Sequence, residues 1–380
     1  MPINYLHRFA IPVVFLLSIF SSTAQSSIKP KYSNSTIYTG IEVGSKGVKM
    51  SVIEIGKNAQ ANGAFNILKD TSVNTDFITF SVPTFSATLA GLCSFFNTAL
   101  KVYKIPSKRI FTVISSGVKM QAEKDVKLSW INLLIDSFRL KIKEPARQVE
   151  QVDVMQEAKL SHLGIVPAER RFTTFLIDVG SGNTKGGFFP YGNSQDFKLF
   201  QLSWGTKSTV NATEKNCVED KSLANYYRQL LRVLAGAEKS EIIYAVNESG
   251  AYPVSDNIAI SGGIAWATAS LLHPELIGNS VIPVTFAEMV KFCEKLYYNY
   301  GSMVPAYLTM NLIPDEKEIA NKELNRVFQV FDQKALMAGA GLLLKIMRQF
   351  ESTFESKQFF LVKNGQVGWV SAYVDEQISQ

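Results

Sequence analysis

Apolar and polar positions along the chain run through the same order twice. The first round opens with an apolar run from Ile37 to Val43, turns at Gly44-Ser45 and returns through Val48 to Ile55, which predicts strand, turn and strand. A further β-prone region extends from Ala64 to Phe80. From Ser86 to Tyr103 the apolar residues fall at helical spacing, with Ser86 as the expected N-cap, and the Ile/Phe/Val run from Arg109 to Ser115 has the length of one strand. A helix from Val126 to Phe138 completes a βββαβα order.

The second round begins with a strand from Thr173 to Val179, turns through Gly180-Ser181-Gly182 and returns from Gly186 to Phe189. A helix fits Leu223 to Leu234, with Gly236 as its stop. The strand from Asn257 to Ile260 runs into Ser261-Gly262-Gly263 and a helix from Ile264 to Leu272. Thr285 followed by Glu288 forms a capping box for a helix from Phe286 to Tyr298, and an apolar helix covers Gln333 to Phe350. Asn364-Gly365, between β-prone runs from Phe359 to Lys363 and from Gln366 to Val374, predicts a hairpin. The expected fold class is α/β: two similar lobes, residues 37–166 and 167–380, with an interdomain cleft. Their boundary falls near Gly164 to Arg171, and the C-terminal helix and hairpin are candidates for packing back on the first lobe.

Composition adds limits. A chain of 380 residues with 46% apolar content is long enough for two cores. The net charge of +6 is spread along the chain, which suits an anionic ligand, while no basic stripe with interleaved aromatics points to nucleic acid. At the N-terminus, His7 and Arg8 precede an apolar run from Phe9 to Phe20 and the small residues Ser21 to Ala24. This predicts a signal peptide over residues 1–24, a polar leader over 25–36, and an exported protein, periplasmic or secreted. The run is short for a membrane helix, which needs about 20 apolar residues, so no stable span is expected after cleavage. Cys93, Cys217 and Cys293 form no disulfide framework, and His162 and His273 stand apart from any zinc pattern.

The two turns align residue for residue: Glu42-Val43-Gly44-Ser45-Lys46-Gly47-Val48-Lys49 against Asp178-Val179-Gly180-Ser181-Gly182-Asn183-Thr184-Lys185. Glycines let backbone N–H groups approach phosphate oxygens, serine adds a hydroxyl donor, and lysine adds a point charge. A carboxylate at the preceding strand end can hold a divalent cation. One such turn alone reads more readily as an ordinary hairpin turn with an exposed acid. Its recurrence suggests two facing phosphate loops with a metal between them, in a cleft at the strand ends.

On these residues the chain resembles the exopolyphosphatase/guanosine pentaphosphate phosphatase (Ppx/GppA) family of the actin/hexokinase/Hsp-type ATPase superfamily. Glu42 to Gly47 looks like that family's Asp-x-Gly-Ser-Asn-Ser loop, and Asp178 to Lys185 like its Asp-x-Gly-Gly-Gly-Ser-Thr-Glu loop. Gln156-Glu157-Ala158-Lys159-Leu160 is similar to its Glu-Glu-Ala-Arg-Leu segment, Ser261 to Ala265 to its third Gly-rich segment, and Ala335 to Leu344 to its late Gly-Ala-rich helix. The resemblance implies two actin-like (ribonuclease H-like) lobes with magnesium as cofactor. It implies inorganic polyphosphate or a nucleotide polyphosphate as substrate, and a homodimer is the assembly considered.

Carried onto this chain, the resemblance makes Glu157 the carboxylate that activates water and Glu42 and Asp178 the metal ligands. Gly44, Ser45, Lys46, Gly180, Ser181, Gly182, Asn183, Lys185, Ser261, Gly262 and Gly263 grip phosphate. An exposed helix carboxylate beside Lys159 is the competing reading of Glu157. The chain departs from the pattern at Glu42 for Asp, Lys46 and Gly47 for Asn and Ser, Gln156 for the first paired acid, and Lys185 for the acid closing the second loop. The expected function is an exported phosphohydrolase of exopolyphosphatase type. Glu42, Gln156 and Lys185 support an alternative, a non-catalytic phosphate-binding pseudoenzyme. An ecto-apyrase-like nucleotidase is the other alternative, although the region around Glu157 lacks the Glu-Gly and aromatic pattern expected of one.

Overall fold

A computed structural model describes Ile28, Pro30 and residues 35–56, 66–351, 355–363, 365 and 368–379. The expected signal peptide lies outside the described residues, as does most of the polar leader. Among the described residues no helix is long and apolar enough to cross a membrane.

The first sheet is ordered β3-β2-β1-β4-β5. Its strands are β1 (Thr36–Val43), β2 (Gly47–Ile55), β3 (Asn66–Asn74), β4 (Ile110–Ile114) and β5 (Glu150–Gln151). β1 to β3 form an antiparallel meander, and β4 joins β1 in parallel. Four helices belong to this part of the chain: α1 (Val82–Asn97), α2 (Ser116–Lys124), α3 (Leu128–Ile142) and α4 (Val154–Ile165). One sheet face packs Ile41, Val43, Val48 and Met50 against Leu92 and Phe96 of α1 and Ile131, Leu134 and Phe138 of α3. The other face is also covered, so that Thr39, Glu42, Ser51 and Glu54 are buried on β1 and β2 along with the apolar residues.

The second sheet is ordered β10-β11-β9-β6-β7-β8. Its strands are β6 (Thr174–Val179), β7 (Thr184–Phe188), β8 (Lys198–Leu202), β9 (Asn257–Ser261), β10 (Val281–Val284) and β11 (Gln358–Val362). β6, β7 and β8 repeat the antiparallel meander, and β9 joins β6 in parallel as β4 joins β1. The duplication seen in the turns is thus a duplication of topology. The helices here are α5 (Thr206–Lys215), α6 (Leu223–Ala237), α7 (Ile243–Ser249), α8 (Gly263–Leu272), α9 (Phe286–Tyr298), α10 (Pro305–Leu308), α11 (Pro314–Val330) and α12 (Gln333–Arg348). They bury Phe175, Ile177, Ile258 and Ile260 of the sheet with Leu230, Leu234, Leu342 and Leu343.

Four expectations are corrected. Helix α1 begins earlier than Ser86: Ser81 caps it in a reciprocal box with Thr84, and Pro83 occupies its first turn. Gly236 does not end α6, which continues through a π turn into α7 and stops at Gly250, whose φ of 69° is the left-handed conformation of a helix terminus. β5, β8, β10, α2, α5, α7, α10 and α11 were not expected. The hairpin after β11 is replaced by a helix, α13 (Gly368–Ser379), while Asn364, Gln366 and Val367 lie outside the described residues. Its Trp369, Val370, Tyr373 and Val374 pack on Ile53, Val113 and Leu160. Burial against the first sheet overrides the β propensity of Trp, Val and Tyr.

Helix α4 contributes to both halves. Leu160 lies in the cluster beneath the first sheet, and Ile165 packs with Leu176, Ala259 and Val362 of the second. Gly164 permits α13 to approach it, because a Cβ there would lie 2.0 Å from the Gly368 carbonyl oxygen. This helix carries Glu157.

Candidate functional site

The hairpins β1–β2 and β6–β7 end in the same cross-strand pair. Glu42 stands opposite Lys49, and Asp178 stands opposite Lys185. Directly opposed residues project to one face. Lys185 is 8% exposed, and its Nζ lies 2.6 Å from Oε1 of Glu157. Glu157 is itself only 2% exposed, so it is not a solvated helix carboxylate. Asp153 caps α4 by accepting the Gln156 N–H, which places Glu157 in the first turn, and its Oε2 accepts the Ser116 N–H at 2.7 Å. A carboxylate at the start of α2 is favoured by the helix dipole.

These contacts decide the charges. Burial would raise the Glu157 carboxyl, but the Lys185 ammonium and the Ser116 N–H outweigh it and hold the group below the usual carboxylate range. Burial would lower Lys185, yet the charges of Glu157, Asp178 and Glu42 raise it, so it stays an ammonium. Glu42 behaves differently. Burial pushes its carboxyl up, against the opposing pull of Lys49 at 3.9 Å, and its Oε2 has no hydrogen-bond partner among the described residues. Asp178 accepts a 2.8 Å hydrogen bond from the Ser261 hydroxyl at the end of β9.

The turns above these pairs are built differently. In the first, Gly44 and Gly47 exchange backbone hydrogen bonds, and the Lys46 carbonyl accepts from Thr75 and Asp76 beyond β3. The Ser45 hydroxyl lies 3.1 Å from where a Gly117 side chain would begin, so it meets the start of α2. In the second, Gly180 N–H donates to the Asn183 carbonyl, while the Gly180 and Ser181 carbonyls accept the N–H groups of Thr206, Lys207 and Ser208. The opening amides of α5 are thereby committed to the loop. They also place Lys207 near Lys46, whose ammonium is lowered by partial desolvation and then by that second positive charge, although the side chain reaches solvent. Gly262 has a φ of 101°, and a Cβ there would lie 2.2 Å from the Val179 carbonyl, so only glycine fits where the third segment meets β6.

The structure therefore gathers Glu42, Asp178, Glu157, Lys185 and Ser261 at one centre. It sets Ser45 beside it and Lys46 near Lys207. Lys185 is turned inward to the carboxylates rather than outward. Sequence reading missed Ser116, Lys207 and Lys49; only Lys49 carried a signal, its alignment with Lys185. The magnesium that the resemblance implies does not fit this donor set, because a buried ammonium already lies against Glu157 and directly across from Asp178. Among the described residues no group of three His, Cys, Asp or Glu side chains has a metal-holding arrangement.

No protein-family model and no curated protein matches the chain. Solved structures do. A Ppx/GppA family member from Aquifex aeolicus is 17% identical, with 91% of this chain and 98% of that chain covered and a TM-score of 0.58. An exopolyphosphatase from Cytophaga hutchinsonii is 14% identical, with 90% and 98% covered and a TM-score of 0.54. At such identities the likeness is one of architecture, and by it the chain has the two-lobed, actin-like fold of the Ppx/GppA structures.

Proposed function

We propose that the chain is an exported phosphohydrolase of exopolyphosphatase type, which removes the terminal phosphate of inorganic polyphosphate or of a nucleotide polyphosphate. The observation that carries this reading is the position of Glu157: an ionised, buried carboxylate paired with Lys185 at the base of the β6–β7 hairpin and held by the Ser116 N–H. Phosphoryl transfer to water passes through a loose transition state, so catalysis is mostly positioning and charge stabilisation. A depressed pKa makes Glu157 a weak base but keeps it an acceptor. Each carboxylate oxygen has a second lone pair beyond the one used by Lys185 or Ser116, enough to align a water. Lys46 and Lys207 offer positive charge to the phosphate oxygens, and Ser45 and Ser181 offer hydroxyl donors. Export follows from the leader and favours inorganic polyphosphate or an extracytoplasmic nucleotide over a cytoplasmic alarmone.

The test is phosphate release from inorganic polyphosphate, ATP and guanosine polyphosphates by the wild type and Glu157→Gln. The variant is expected to lose about 10²- to 10⁴-fold in kcat. Undiminished turnover would remove Glu157 from the reaction. The ion pair itself favours a second reading, a polyphosphate-binding pseudoenzyme, since it occupies one oxygen of the carboxylate the reaction needs. Binding of polyphosphate with no turnover of any substrate selects that reading.

A further inference from the structure

We infer that Lys185 is the resident cation of this cleft: its ammonium pairs with Glu157 and rises from the strand position opposite Asp178, so the cleft supplies positive charge itself rather than through a divalent ion. Three observations converge. Lys185 is the cross-strand partner of Asp178, which fixes its origin on the same sheet face. It is 8% exposed and spans to Glu157 on α4, at 2.6 Å. Two of the acids are also engaged around it, since Glu157 accepts the Ser116 N–H and Asp178 the Ser261 hydroxyl.

The duplicated hairpin provides an internal contrast. Lys49 holds the equivalent place opposite Glu42, but its side chain is 39% exposed and its Nζ is 3.9 Å away. A lysine at that position therefore does not reach inward by default. A divalent ion entering beside Lys185 would meet a fixed like charge in a water-poor site, while the cations left for an anion are Lys46 and Lys207. This inference rests on the proposed function only for the identity of the anion. The exclusion of metal stands or falls separately.

Mn²⁺ titration of the full chain, followed by electron paramagnetic resonance, tests it without reference to activity. The wild type is expected to show no saturable site in the micromolar range. Lys185→Gln frees the acids and is expected to gain one site at least about tenfold tighter than any binding by the wild type. Adding Asp178→Asn to that variant should abolish the gained site. A saturable wild-type site as tight as that of the variant overturns the inference, as does a folded variant that gains none. If Lys185→Gln fails to fold, polyphosphate binding by the wild type in EDTA decides. Saturable binding upholds the inference, and binding that appears only when Mn²⁺ is restored overturns it. Failure of polyphosphate hydrolysis would count against the proposed function and leave the Mn²⁺ result untouched.

Discussion

The hairpins β1–β2 and β6–β7 share a register, a Gly-Ser turn and an acid–lysine pair, yet they put the lysine to opposite uses. In the second, Lys185 is buried and closes on Glu157 from another element. In the first, Lys49 remains half in solvent, and Glu42 is buried with an oxygen that Lys49 approaches only to 3.9 Å and that accepts no hydrogen bond among the described residues. The turns diverge in the same spirit. Gly47 sits under β3, where a Cβ would lie 2.0 Å from the Val73 carbonyl oxygen, whereas a Cβ on Gly182 would meet open space. A repeated motif fixes backbone geometry. The neighbouring helix decides what its side chains do, and α4 passes beside only one of the two lysines.

The lysines give the largest contrast to break. Lys185→Gln leaves Glu157 buried without its counter-charge and is expected to cost about 3–5 kcal/mol, while Lys49→Gln should cost no more than about 1 kcal/mol. Urea denaturation of both variants compares them, and equal losses would mean that burial does not distinguish the two pairs. Next come the glycines. Gly47→Ala must displace strand backbone and should destabilise by about 1–3 kcal/mol, whereas Gly182→Ala should stay within about 0.5 kcal/mol.

The acids supply a subtler contrast, in direction rather than size. The folded-state pKa of Glu42 is raised, so its contribution is present below the unfolded value and is lost as pH rises through the folded one. That of Glu157 is depressed, so its contribution is present above the unfolded value and is lost as pH falls through the folded one. Stability curves across pH should therefore show Glu42→Gln gaining on the wild type as pH rises. Glu157→Gln should fall behind it over the same direction. Parallel curves for both variants would erase the distinction between the hairpins.

Much of this was legible where the cause is local. The Thr285–Glu288 capping box, the two Gly-Ser hairpins and the strand leading into Ser261-Gly262 are each specified by adjacent residues, and each is present. Ser81 was missed because Ser86 lies on the same apolar pattern, and the choice was made by Thr84 and Pro83. The segment from Gly368 to Val374 was misread because its alternation suits a strand and only the distant first sheet makes it a helix. At the site, sequence aligned Lys185 with Lys49 but could not show that Glu157 waits beside just one of them. Lys207 belongs to no motif and is brought to Lys46 by the hydrogen bonds of Ser181.

Helix α13 has a consequence for how the chain is made. Trp369, Val370, Tyr373 and Val374, from its last residues, cover Ile53, Ile55 and Val113 near the beginning, and Gly40 is tight against Val370. The first lobe is consequently unfinished until α13 has been made. A nascent or truncated first half would present an apolar sheet face to solvent, and long-range closure of this kind folds slowly. Helix α13 thus acts as the closing stitch of the part that was made first, and a chain cut short after β11 would uncover its opening sheet.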